Sequence, residues 1–240
     1  MESESHQAGE VVAAPAAINS SAPVGPQLHQ LLRQRIIRND LAPGTRISES
    51  EIAATYSVSR QPVREAFIKL AEEGFVEVQP QRGTVIRKIS DRAVTDAQFV
   101  REAVEADIIK LVARQADPAL VAELRVQLTL QAKAAEAGDP ARFIVLDEYF
   151  HHLLARAAGK ERAWGLVQSL KSHMDRVRHL SVRKMPIDAL IRQHRLIVDA
   201  IADGGVERAE AAVRSHLREI LRDLPAIAAA FPEFFDDTPG

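Results

Sequence analysis

The sequence predicts a mainly α-helical protein in two parts: three short helices closed by a β-hairpin, then an all-helical bundle of about six helices. Three observations carry this expectation. Apolar residues recur at helical spacing from Gln27 to about Leu224, the one pair of short β-branched runs lies between Phe75 and Ile89, and the breaks between stripes are short and built from Pro or Gly.

Each element follows from local chemistry. Leu28, Leu31, Leu32 and Ile36 share one helical face that ends at Asp40 and the Pro43-Gly44 turn. Ser48 precedes Glu51 by three residues, the spacing of a capping box, so a short helix is expected over about 48–55. Ser59 stands where it can cap a third helix, with Pro62 in the first turn and Val63, Ala66, Phe67 and Leu70 as the buried stripe up to Gly74. Phe75 to Gln79 and Thr84 to Ile89 then read as two strands around Pro80-Gln81-Arg82-Gly83. Beyond Ser90, six helices are expected over 92–115, 118–137, 140–158, 161–183, 186–203 and 206–223, separated by breakers such as Asp117-Pro118 and Gly204-Gly205. Connections this short make neighbouring helices antiparallel. The expected organisation is a disordered tail over 1–26, a small domain over 27–89, a helical domain over 90–226 and a frayed tail over 227–240.

Composition narrows the chemistry. The 240 residues are 46% hydrophobic and 27% charged, an ordinary globular balance with material for one or two domains. The absence of cysteine excludes zinc fingers, iron–sulfur clusters and thiol nucleophiles, so any metal falls to His, Asp or Glu. The net charge of −2 is uneven: residues 27–89 hold ten Lys/Arg against seven Asp/Glu, and both flanks are acidic. No apolar run approaches the ~18 residues of a membrane span. The acidic start (Glu2, Glu4, Glu10) is also unlike a signal peptide, which points to a cytoplasmic protein.

Three helices and a hairpin compose a winged helix-turn-helix, whose third helix enters the major groove of DNA. With Val63, Phe67 and Leu70 facing inward, Gln61 and Arg64 face outward and Arg60 lies on the flank of the first turn. These side chains suit guanine and adenine edges and phosphates. The stretch Val58-Ser59-Arg60-Gln61-Pro62-Val63-Arg64-Glu65-Ala66, with Glu73-Gly74-Phe75-Val76 and Arg82-Gly83, resembles the DNA-binding domain of the GntR family of bacterial transcription regulators. That resemblance implies that Arg60, Gln61 and Arg64, with Ser59 beside them and Arg82 and Gly83 in the wing, approach DNA. Ser50 stands where some relatives have an Arg on the second helix, which leaves the operator sequence open.

In the helical part, Asp147 and His151 are one turn apart on a face shared with Phe143, Phe150 and Leu154, and His194 and His216 sit among apolar neighbours on two later helices. His194 is ten residues before Gly204 and His216 eleven after Gly205, so both lie ~15 Å from the turn, level with each other. A carboxylate and three imidazoles so placed suit zinc, nickel, manganese or iron(II). The same four residues match the FCD effector domain found in the FadR-like branch of the GntR family, where an Asp and three His bind metal. Arg101 faces inward with Val104, Ile108 and Leu111, where Asp147, Glu105 or snorkelling to solvent would satisfy it; the resemblance implies instead that it receives the carboxylate of a small organic acid or sugar acid. His173, on an apolar stripe with Leu166, Leu170, Val177 and Leu180, and Arg176 are further candidates to line the pocket. His152 is expected in an outer shell or at the surface, and His6, His29 and His179 show no such placement.

The expected function is a homodimeric, ligand-responsive DNA-binding regulator, a repressor in the leading reading and not an enzyme. The alternative is a metal-dependent hydrolase fused to a DNA module, which needs a general base outside the metal shell; Glu148, the nearest candidate, points about 100° away from Asp147.

Overall fold

A computed structural model describes residues 18–19, 21–79, 83–182 and 187–236. The described chain forms two compact units, one of residues up to Ile36 together with 40–87, the other of residues 37–39 together with those from Lys88 onward.

The first unit contains α1 (Val24–Ile37, its last residue belonging to the second unit), β1 (Arg46–Ile47), α2 (Glu49–Thr55), α3 (Arg60–Glu72), β2 (Val76–Gln79) and β3 (Gly83–Ile86). Ser48 caps α2, its hydroxyl accepting the Glu51 N–H at 3.1 Å. Ser59 holds the N-cap position of α3 without a side-chain cap bond. Val63, Ala66, Phe67 and Leu70 are the buried stripe of α3, and Leu28, Leu32 and Ile36 are the buried residues at matching spacing on α1. The strands form an antiparallel sheet in the order β1-β3-β2, with Val76 opposite Ile86 and Gln79 opposite Gly83. The two-residue β1 was not foreseen, because Arg46-Ile47 is too short to show a period. Gly83 has φ +90, a left-handed conformation that L side chains avoid, so the wing needs glycine here.

The second unit is helical: α4 (Asp91–Gln115), α5 (Pro118–Glu136), α6 (Pro140–Ala157), α7 (Glu161–Leu170), α8 (Ser172–Ser181), α9 (Ile187–Ala202), α10 (Val206–Leu217) and α11 (Glu219–Ala230). Asp117 and Asp139 cap α5 and α6, each followed by a proline in the first turn, where the missing N–H costs no hydrogen bond. The long α4 packs against α6, α7, α8, α9 and α10, and α10 lies against α9. Ile109, Phe150, Leu154, Ile197, Ile201 and Val213 fill the main core.

Two expected helices are each divided. The stretch 161–183 breaks at Lys171, where no Pro or Gly stands; its buried ammonium pairs with Glu148 and Asp175, both at 2.7 Å. The stretch from 206 breaks at Arg218, and α11 then runs through Pro225 to Ala230, beyond the expected end. Nor are the described residues after it, up to Asp236, frayed: Phe235 is buried in a small core with Ile89, Met174 and Leu180 and pairs with Ile89 as a parallel bridge. Phe231, Phe234 and Phe235 contribute to that small core, an apolar signal that the expectation of a frayed tail passed over. Among the described residues, no helix is long and apolar enough to cross a membrane.

Candidate metal centre and nucleic-acid interface

α6, α9 and α10 carry Asp147 and His151, His194, and His216 into one buried cluster; none is more than 6% exposed. One ligand atom from each lies within 4.8 Å of all the others. The Nε2 atoms of His151 and His194 are 3.2 and 3.1 Å from Nε2 of His216.

Which nitrogen carries the proton follows from the partners. His194 Nδ1 faces Gln131 Oε1 at 2.8 Å, His216 Nδ1 faces Gln193 Oε1 at 3.0 Å, and His151 Nδ1 faces a carboxylate oxygen of Glu105 at 2.6 Å. Each partner atom is an acceptor. The amide orientations are held as well, because Gln131 Nε2 donates to the Leu146 carbonyl and Gln193 Nε2 to Glu219. All three imidazoles therefore carry their proton on Nδ1 and turn the Nε2 lone pair inward. Three lone pairs cannot satisfy one another. An electrophile among them would satisfy all three, and Asp147 Oδ1, buried and without a hydrogen-bond donor among the described residues, suits the same partner.

Electrostatics agree. Burial pushes the His194 imidazolium down to about 3, and burial with the neighbouring imidazoles holds His216 well below its ordinary value, so both are neutral ligands near pH 7. Burial opposes ionisation of Asp147, yet Arg178 and the imidazoles outweigh it and keep the carboxyl well below the usual range. Burial likewise opposes ionisation of Glu105, but Arg101 and His151 bring it to about 2. The donor set fits a divalent transition metal: three imidazoles, each with its second nitrogen anchored, and one carboxylate.

A cleft of about 430 Å³ reaches the cluster at His216 and is lined also by Arg101, Arg178, Ser181, Leu190, Leu217 and Asp223. Arg101 donates from Nε to Glu105 at 2.5 Å, while its Nη2 is buried with no partner among the described residues. Arg178, which sequence reasoning passed over, donates to Asp147 and lines the same cleft. Gln131 and Gln193 were also missed, since a glutamine gives no periodic signal of its own; for Gln131, buried Leu128 and Ala134 at three residues to either side are the clue.

Two expected lining residues lie elsewhere. His173 is half-buried and its Nδ1 accepts the N–H of Ser90 at 3.3 Å; the break at Lys171 ends the stripe that included it, leaving Leu166 and Leu170 exposed. Arg176 is two positions from Arg178, about 200° around the helix, and does not line the cleft. Its guanidinium nitrogens have no hydrogen-bond partners among the described residues, and burial lowers it to about 10. Glu148 is engaged by Lys171 and Gln168, not free as a base, and His152 is partly exposed beside Glu161.

In the first unit, Arg60, Gln61 and Arg64 lie exposed on α3, and Ser50, Ser59 and Gly83 are exposed as well. Arg60 and Arg64 both pair with Glu49 on α2, at 3.2 and 3.0 Å. Exposed pairs of this kind hold by only about 0–1 kcal/mol, so a phosphate or base can replace Glu49. Arg82 lies outside the described residues.

Two family models cover most of the chain: that of bacterial regulatory proteins of the gntR family matches residues 26–86, and that of the FCD domain matches 96–219. An HTH-type transcriptional regulator of Streptomyces ambofaciens, named for an unstable DNA locus, is 42% identical over 85% of this chain and 86% of its own length. The HTH-type transcriptional repressor RspR of Escherichia coli is 36% identical over 92% of this chain and 97% of its own. Among solved structures, a GntR transcriptional regulator from Rhodococcus sp. RHA1 aligns with a TM-score of 0.68 at 27% identity, over 84% of this chain and 98% of that one.

Proposed function

The chain belongs to the gntR family of bacterial regulatory proteins with an FCD domain, a family of DNA-binding transcription regulators and not of enzymes, and on that premise we propose that it is a homodimeric repressor released by a small carboxylate. In this reading the dimer places two copies of α3 on an operator, with Arg60, Gln61 and Arg64 reading bases and phosphates. Ser50, Ser59, Gly83 and Arg82 contact the backbone around them.

Asp147, His151, His194 and His216 hold a divalent metal, and the effector, an organic acid or sugar acid, extends its carboxylate between Arg101 and the metal side of the cleft. Such a metal supplies Lewis acidity that draws an anionic oxygen to it. Arg101 supplies the second contact through Nη2, which has no other partner among the described residues. The observation that carries the reading is the convergence of three imidazole Nε2 atoms, each ring's Nδ1 facing an acceptor, and an orphaned carboxylate oxygen beside that guanidinium. The ligand changes DNA affinity only to the extent that it binds one arrangement of the dimer better than the other.

The test is fluorescence anisotropy of the full-length protein on duplexes from its own promoter region. Binding about a thousandfold tighter than to random duplex at physiological salt, weakened by a short-chain acid in wild type but not in Arg101→Ala, supports the reading. Equal affinity for both duplexes, or an Arg101→Ala variant that still answers the acid, contradicts it.

A further inference from the structure

The proposed effector site has a second end whose chemistry is opposite to the first. From Arg101 and His216 the cleft continues past Val182, Leu190 and Ile220 to Glu219 and Asp223, which line both it and an adjoining hollow of about 410 Å³. Asp223 makes no hydrogen bond or ion pair with any described residue. Burial, and then the nearby Glu219 carboxylate, push its carboxyl above the ordinary value, against the smaller opposing pull of Arg222. Glu219 is only partly neutralised: its Oε2 accepts from Gln193 and from Arg222, an arginine 58% exposed at the rim.

The inner end mirrors this shortage with the opposite sign, since Arg101 is 4% exposed and its Nη2 is unpartnered among the described residues. The walls between the ends are largely aliphatic, with Ser181 as the one hydroxyl that lines both hollows. A sugar acid would set most of its intermediate hydroxyls against Val182, Leu190 and Ile220, at a desolvation cost for each one left without a partner. A dicarboxylate would place a second anion against Glu219 and Asp223.

Resting on the reading of Arg101 and His216 as a carboxylate site, we propose that the effector is an amphoteric aliphatic acid, its carboxylate at the inner end and its ammonium group between Glu219 and Asp223. The short apolar stem packs along the wall. This assigns Glu219 and Asp223 as the residues that select among acids, a role distinct from holding the carboxylate.

The test is calorimetric titration of the full-length, metal-loaded protein with 4-aminobutyrate, 5-aminovalerate and 6-aminohexanoate, each against its plain acid, and with gluconate and glutarate. At least one amino acid should bind about tenfold more tightly than its plain counterpart. In Asp223→Asn and Glu219→Gln that preference should fall below about twofold, with the plain acid gaining affinity as repulsion is removed. Plain and amino acids binding equally, or gluconate or glutarate binding most tightly, would overturn the amphoteric assignment while leaving the carboxylate site standing. If no acid binds, or Arg101→Ala binds them all unchanged, the carboxylate reading fails and this inference fails with it.

Discussion

Gln131 and Gln193 decide which nitrogen of His194 and His216 faces inward, so their effect is exerted without touching a ligand. Replacing Gln131 by Leu removes the acceptor and frees His194 to turn its proton inward. Metal affinity, measured by competition with a chelating dye, should fall about 10–100-fold with the fold retained by circular dichroism. The same imidazoles set an acid limit. His194, held to about 3 against an ordinary 6.5, takes up its proton more readily when unfolded. Its contribution to stability is therefore complete above pH 6.5 and lost as the pH falls toward 3, and Glu102, held to about 2 chiefly by Arg218 with burial opposing, adds a loss below 4.5. Denaturant melts of the metal-free protein should show stability falling continuously from pH 6.5 downward, and a flat profile between pH 6 and 4 would refute the assignment.

At the scale of the element, what was legible in the sequence had a local cause. Apolar spacing gave α3, α4, α5, α6 and α9, and capping residues with prolines gave the starts of α2, α5 and α6. The same spacing brought Asp147, His151, His194 and His216 together because each lies on an apolar face. The break at Lys171 was not legible, because it depends on Glu148 and Asp175 meeting that ammonium in the folded chain. With it went the placement of His173 and Arg176. Arg178 was hidden for the same reason, since its partner Asp147 is on α6. Element ends also carry testable strain. Ala116 closes α4 at φ +44, a left-handed conformation costly for a residue with a Cβ. Ala116→Gly should raise stability by about 0.5–1 kcal/mol in urea titrations. On α3, Arg64→Ala should cost ~1–3 kcal/mol of operator binding if its contact to a base is bidentate, with no change in stability beyond the weak pair with Glu49.

Across the molecule, the cluster links α6, α9 and α10, so a metal held there ties together helices distant in sequence. Bound only by the folded state, at a free concentration about a thousand times its dissociation constant, it would stabilise the chain by about 4 kcal/mol. Chelation should therefore lower the melting temperature in proportion to the logarithm of free metal, and reloading should restore it. The most direct measurement is the metal content of the full-length protein by elemental analysis, after chelation and reloading with a mixture of divalent ions, for wild type and for His194→Gln. About one tightly held transition-metal ion per wild-type chain is expected, and little or none in the variant. Wild-type protein that retains no ion, or a variant that retains as much, would contradict this expectation and make these four residues a hydrogen-bonded core.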